Sequence, residues 1–206
     1  MGVRPNSTDS RDESLTPPFA QQSHLYGKSR EFEPWPEWMV KALAEAPADV
    51  RIAAELMLGT GQRPSAAIAM RHDHFSGEWM TVPNEKADEY REVYCPPFLR
   101  AFVEALPKRG KHLLAKNLAQ PKGYDAVERQ FRAWRADLRD RAKAFALHGL
   151  RKLAIVQLAE AGCTDAEIEA VTNQSAEMVA GYRKRASGRR LSKAAQNRRD
   201  QNMNGM

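Results

Sequence analysis

The sequence is short of the features that assign a chain to several common classes. Cysteine occurs at Cys95 and Cys163 alone, and their separation is unlike that of metal ligands, so a reduced cytoplasmic setting is expected. No apolar run approaches the roughly 18 residues that a membrane-spanning helix needs, and the N-terminus has no apolar signal core. Internal repeats and acidic metal-binding clusters are also lacking. The sequence therefore predicts a protein without membrane contact, metal or cofactor.

Positive charge and apolar residues are both plentiful. The chain has 206 residues, of which 42% are hydrophobic, and a formal net charge of +6. This length suits one sizeable domain with a core of its own. With a pI near 9.4, the chain is expected to bind an acidic partner, and nucleic acid is favoured over a membrane surface.

Composition divides the chain into three segments. Residues 1–33 are polar, rich in Ser, Asp and Pro, and without periodicity, which predicts a disordered segment or linker. Residues 34–186 have the patterning of a folded domain. Residues 187–206 are strongly basic and are predicted to form a flexible tail attracted to phosphates or to an acidic groove.

The patterning of the middle segment predicts a mainly α-helical domain with a small antiparallel β-sheet, an α+β class. The strongest helical signal spans 125–143, where Val127, Phe131, Trp134 and Leu138 recur at helical spacing. Two β-type runs, 79–82 and 92–95, predict a hairpin. The other predicted helices span 39–46, 48–58, 64–70, 98–106, 148–161, 165–171 and a last segment after residue 175.

The stretch 147–185 has residues suited to phosphate chemistry. If His148 and Arg151 begin a helix, their spacing places both on one face, where they can bind one anion. Thr164 and Glu167 have the form of a capping box and begin a further helix. A third helix would return the hydroxyl of Tyr182 toward the His/Arg pair.

Arg63 occupies a second position that favours an anion. It follows the glycines of Gly59-Thr60-Gly61 and precedes Pro64 at the first turn of a helix, where backbone donors and the helix dipole attract negative charge. Taken alone, Arg63 is more simply a solvent-facing arginine after a loop. Lys86, between the two predicted strands, is by itself an ordinary turn lysine.

Together these motifs resemble the catalytic domain of the tyrosine recombinases, the phage-integrase family. The segment from His148 to Arg151 matches the family's His-x-x-Arg, and the segment from Thr60 to Arg63 matches its Thr-Gly-x-Arg. Tyr182 takes the place of the nucleophilic tyrosine. Lys86 fits the family's hairpin lysine. The resemblance covers residues from about 32 to 185.

The resemblance implies cleavage and rejoining of double-stranded DNA through a 3′-phosphotyrosine intermediate, without a metal. Arg63 and Arg151 would offset the charge on the phosphate, because their forked donors suit its oxygens. His148 would accept the proton of Tyr182, and Lys86 would donate one to the departing 5′-hydroxyl. In the family the segment beyond the tyrosine often packs on a neighbouring protomer, which implies a homo-oligomer on DNA through the C-terminal segment.

Two positions depart from the family pattern. Asn173 stands where the family has a phosphate-donating His, and Ala66 where it has a Glu. Asn can still donate, but it is neutral and shorter. Since loss of one such donor elsewhere costs ~10²-fold or more in rate, a slowed enzyme is expected.

Other interpretations remain open. The chain could be a catalytically inactive DNA-binding member that regulates recombination or occupies its sites. A type IB-like topoisomerase and a plain basic helical scaffold are further alternatives. Residues 1–33 are too short and polar for the family's N-terminal DNA-binding domain, so a fragment or a minimal, decayed member with weak DNA affinity is expected.

Overall fold

Helices dominate the structure, and a small sheet is inserted between the third and fourth of them. The computed structural model describes residues 33–84, 89–183 and 186–204. The helices are α1 (Glu37–Lys41), α2 (Ala48–Thr60), α3 (Pro64–Ile68), α4 (Pro97–Glu104), α5 (Tyr124–Asp137), α6 (His148–Glu160), α7 (Asp165–Thr172), α8 (Ala176–Arg183) and α9 (Gly188–Asn204). The strands are β1 (Phe75–Ser76), β2 (Trp79–Asn84) and β3 (Glu89–Tyr94). The predicted α+β class is confirmed.

Helix α2 lies at the centre of the core and packs against α3, α4, α5 and α6. Trp35, ahead of α1, is buried and stacks on Phe131 and Trp134 of α5 at centroid distances of 5.6 and 6.0 Å. Its indole N–H donates to the carbonyl of Ala146 at 2.7 Å, so the polar end of the ring is satisfied.

Within the described ranges, no helix combines the length and apolar character that crossing a bilayer requires.

The sheet is antiparallel with the order β1-β2-β3. In the long hairpin, Met80 pairs with Val93 and both side chains are buried, while Trp79 pairs with Tyr94 and both are exposed. This alternation is expected of a sheet with one face on the core. The turn between β2 and β3, which includes Lys86, lies outside the described residues.

The long helix predicted over 125–143 is shorter in the structure. Helix α5 ends at Asp137, and a 3-10 turn follows at Asp140–Ala142. Between them Arg139 has φ 65°, a conformation that cannot continue a right-handed helix. The apolar periodicity continues through Leu138, so it predicted helix beyond the point where the backbone turns away.

Most of the basic C-terminal segment forms α9, and its predicted flexibility stays a prediction. The carboxylate of Glu160, at the end of α6, accepts from the backbone N–H of Ser187 at 3.0 Å and from Arg190 at 2.7 Å. Arg198 donates to the carbonyl of Gly162. The negative C-terminal end of α6 thus attracts basic residues of the segment that the sequence predicts to be attracted to phosphates or to an acidic groove.

A close contact joins the C-terminal ends of α2 and α7. Gly61 ends α2 in the left-handed conformation, with φ 62°. A Cβ atom built on Gly61 would lie 2.6 Å from Cγ2 of the buried Thr172, the last residue of α7. Only glycine permits both the backbone conformation and this approach. The residues that follow each helix, Arg63 and Asn173, are therefore brought to one side of the molecule.

We predict that Gly61→Ala destabilises the fold more than Gly77→Ala. Gly77 has a similar φ of 58°, and apart from its chain neighbours no described atom lies within 4 Å of its added Cβ, so it measures backbone strain alone. The expected loss in free energy of unfolding is about 2–4 kcal/mol at Gly61 and about 1–2 kcal/mol at Gly77. Chemical denaturation measures both.

Thr172→Ser serves as the matched second change, because it removes Cγ2 and keeps the hydroxyl that donates to Ile168 at 2.8 Å. Combined with Gly61→Ala, it should recover part of the lost stability. Equal losses at Gly61 and Gly77, with no recovery in the double variant, would show that the contact between the helix ends is unimportant.

Candidate functional site

Two arginines that are distant in the sequence line one cavity of about 290 Å³. Arg63 precedes α3, and Arg151 lies in the first turn of α6. The remaining lining residues are Gln62, Asn173, Gln174, Ser175 and Met178. Because guanidinium groups carry a permanent charge and several donors, this arrangement suits an anion with several oxygens.

Asn173 has a structural role besides lining the cavity. It ends α7 in the left-handed conformation, with φ 54°, and its backbone N–H donates to Glu169 at 2.9 Å. Asparagine is favoured in this conformation among residues other than glycine. The capping box predicted at Thr164 and Glu167 is present at the opposite end of the same helix. Both ends of α7 are thus defined by local sequence.

Gln174 holds Arg151 and was not anticipated from the sequence. It is 7% exposed, and with its amide oxygen turned toward Arg151 it accepts from Nε and Nη2 of that side chain. A paired contact of this kind fixes the plane of the guanidinium. Its position directly after the helix-ending Asn173 was the only sequence signal available.

His148, the first residue of α6, is influenced by the charges of both cavity arginines. Burial lowers the pKa of His148 below its ordinary value of 6.5. The positive charges of Arg151, Arg63 and Lys152 lower this pKa further, in that order. The neutral imidazole is therefore favoured near pH 7, and a neutral imidazole can accept a proton.

Tyr182 lies on α8 and packs on a second, smaller core formed by Ile155, Ala159, Ile168 and Val179. The ammonium of Lys152, which is 7% exposed, lies 5.1 Å from the centroid of the Tyr182 ring. Of the described residues that line the cavity, Met178 lies one turn before Tyr182, and Tyr182 itself is not among them. Lys152 is a further residue that sequence reasoning missed; its adjacency to Arg151 was the available signal.

The remaining predicted positions are more distant or outside the described ranges. Lys86 lies outside the described residues. Ala66 is half-buried in α3 and does not line the cavity. Across the described part of the chain, no group of three His, Cys, Asp or Glu side chains is arranged as metal ligands would be.

Solved structures with the same fold are numerous. The catalytic domain of bacteriophage HP1 integrase is 20% identical with a TM-score of 0.58, and the match covers 81% of this chain and 95% of that one. A Tn1549 transposon integrase in complex with circular intermediate DNA is 14% identical with a TM-score of 0.63, over 83% and 66% of the two chains. These likenesses establish the fold.

Lambda integrase (residues 75–356) bound to DNA is 19% identical with a TM-score of 0.56, over 76% of this chain and 61% of that one. In two structures of lambda integrase dimers on a core site, the chain spans only 54% and 49% of the relative's length. No curated protein sequence matches the chain. The model of the Phage integrase family matches residues 37–189, about three-quarters of the sequence. The chain therefore belongs to the phage integrase family.

Proposed function

We propose that this protein cleaves and rejoins double-stranded DNA through a 3′-phosphotyrosine intermediate at Tyr182, in the cytoplasm. The observation that carries the proposal is the presence of Arg63 and Arg151 in one cavity. Two guanidinium groups around one phosphodiester offset the charge that builds on its oxygens as the nucleophile attacks. Family membership supports the same reaction class.

Each proposed role follows from side-chain chemistry. An unperturbed phenol has a pKa near ~10 and is a weak nucleophile at neutral pH, so its proton must be removed as it attacks phosphorus. His148, held neutral by burial and nearby cations, accepts that proton. The bond between phosphorus and the 5′ oxygen breaks, and Lys86 donates a proton to that oxygen, which leaves as a 5′-hydroxyl. A second strand's 5′-hydroxyl then attacks the phosphotyrosine and releases Tyr182.

The hydroxyl of Tyr182 must approach the phosphate held between the arginines. Met178, one turn earlier on α8, already lines the cavity. Asn173, Gln174 and Ser175 connect α7 to α8 along the same cavity, so a shift of α8 about this connection would bring the phenol to the site.

A homo-oligomer on DNA is also proposed. Lambda integrase forms a dimer on a core site and a tetramer on a Holliday junction. In this chain α9 packs on its own α6, where Arg190 contacts Glu160 at 2.7 Å. Exchange of the C-terminal segment between protomers would require this contact to be replaced by the same contact on a neighbour.

A second function is favoured by a specific observation. Asn173 serves as the left-handed end of α7, so a helix-ending requirement is sufficient to explain its presence. A chain that binds DNA at the arginine cavity without cutting it would regulate recombination or occupy recombination sites. The formation of a covalent complex discriminates the two functions.

We predict a covalent complex between the protein and nicked duplex DNA that depends on Tyr182. Because the target sequence is unknown, the substrate is a library of nicked duplexes with randomised sequence, from which the short strand released by cleavage diffuses away. Denaturing gels detect the adduct. Tyr182→Phe should abolish it, whereas Tyr124→Phe, at an exposed tyrosine on α5, should not. DNA retention without any adduct favours the inactive DNA-binding function.

We predict that Asn173→His raises the yield of this adduct. Histidine tolerates positive φ better than most residues and can donate to the phosphate. The expected gain is roughly tenfold or more, within the ~10²-fold that one such donor contributes elsewhere. Asn173→Ala is the matched control and should lower the yield. A decrease for Asn173→His at unchanged thermal stability contradicts a donor role for this position.

We predict that His148 titrates below 6.5 and that Arg63→Gln raises its pKa, because one repelling charge is removed. Imidazole resonances measured by NMR against pH provide the test, with Arg109→Gln as the control.

The unfolded chain takes up this proton more readily than the folded one, so the free energy of unfolding should fall as pH drops below about 6.5. Adduct formation should be lost as pH falls through the lowered pKa. An unchanged His148 pKa in Arg63→Gln would place the two groups too far apart to act together.

A further inference from the structure

Gln62 is a buried side chain with an unused hydrogen-bond donor. It is 1% exposed, and its side-chain nitrogen Nε2 has no hydrogen-bond partner among the described residues. Burial of an unpaired amide donor costs free energy, and such groups are uncommon in folded proteins. Gln62 also lines the cavity between Arg63 and Arg151. The unpaired donor therefore belongs to the place where an anion would bind.

The backbone around Gln62 is firmly held. Its N–H donates to the hydroxyl oxygen of Thr60 at 3.2 Å, and that hydroxyl donates to the carbonyl of Leu56 at 2.6 Å. On one side Gly61 is pressed against Thr172, and on the other Pro64 begins α3. The position of Gln62 is thus fixed before any ligand arrives.

The two buried glutamines of the cavity have complementary partners. The amide oxygen of Gln174 is used as an acceptor for Arg151. The amide nitrogen of Gln62 remains as a neutral donor beside two fixed cations. The two non-bridging oxygens of a phosphodiester have enough lone pairs to accept hydrogen bonds from two arginines and from one further donor.

We propose that Nε2 of Gln62 donates a hydrogen bond to a non-bridging oxygen of the phosphodiester bound between Arg63 and Arg151. This inference rests on the proposed function only in taking the ligand to be a phosphodiester. Gln62 then compensates in part for the neutral, short side chain of Asn173. The donor carries no charge and does not titrate, so its contribution is independent of pH over the range in which His148 changes.

The test uses the full chain labelled with ¹⁵N, titrated with dimethyl phosphate, a small phosphodiester of the same charge. Through-bond correlations assign the side-chain amide of Gln62 and the backbone amide of Arg63. We expect both to shift along one binding curve, and Arg63→Gln to abolish the curve. Chloride at matched ionic strength controls for general salt effects. A Gln62 amide that stays unmoved while Arg63 reaches saturation overturns the inference, and so does the absence of any binding.

Variants of Gln62 give a second, independent measurement. Gln62→Met keeps the approximate length and removes the donor, and it should weaken dimethyl phosphate binding roughly three- to tenfold, as expected for one lost hydrogen bond. Gln62→Glu replaces the donor with a negative charge and should weaken binding more. Binding by Gln62→Met that equals wild type overturns the inference. If a variant fails to fold, the wild-type shift alone decides.

The outcomes separate this inference from the proposed function. A shifted Gln62 amide without any Tyr182 adduct supports the phosphate contact and rejects strand cleavage. If the adduct forms, and Gln62→Met changes neither its yield nor the affinity of the protein for dimethyl phosphate, cleavage is supported and the contact is rejected. Gln157→Met, at an exposed position of α6 outside the cavity, is the matched control and should leave dimethyl phosphate binding unchanged.

Discussion

The site depends on the contact between Gly61 and Thr172, where two helices end against each other without room for a Cβ atom. This contact brings residues from the end of α2 and the end of α7 to one cavity, and Arg151 of α6 completes it. The approach of the two helix ends is stabilised by the core beneath, where α2 packs against α5 and α6. The core therefore supplies the free energy, and the glycine determines how closely the functional residues meet.

The features that were predicted correctly, such as a helix cap and a hairpin, are determined by residues close together in the sequence. The capping box of Thr164 and Glu167 begins α7 as expected, and the hairpin forms at the predicted place with longer strands. The shared face expected of His148 and Arg151 required a helix that begins at His148, and α6 begins there. The end of α5 was predicted wrongly because a backbone turn at Arg139 interrupts a helix whose apolar pattern continues.

The features that sequence did not reveal depend on tertiary contacts. Gln62 and Gln174 are polar residues beside turns, a context in which glutamine usually faces solvent, and their burial follows from the packing of helix ends around them. The contacts that attach α9 to α6 involve Glu160, which lies well before α9 in the chain. The amide of Gln174 is uncharged, so its contact leaves the charge of Arg151 uncancelled, and that charge contributes to the lowered pKa of His148.

The attachment of α9 has a consequence for the proposed binding of DNA. The Arg190 side chain is 64% exposed where it contacts Glu160, whose own side chain is 13% exposed, so salt screens this ion pair from the arginine side. In the proposed complex, a DNA phosphate that reached Arg190 would compete with Glu160 for the same guanidinium. Attachment of the last helix and its proposed use as a polycation therefore compete for this residue, whereas the contact of Arg198 with the carbonyl of Gly162 is a separate attachment of α9.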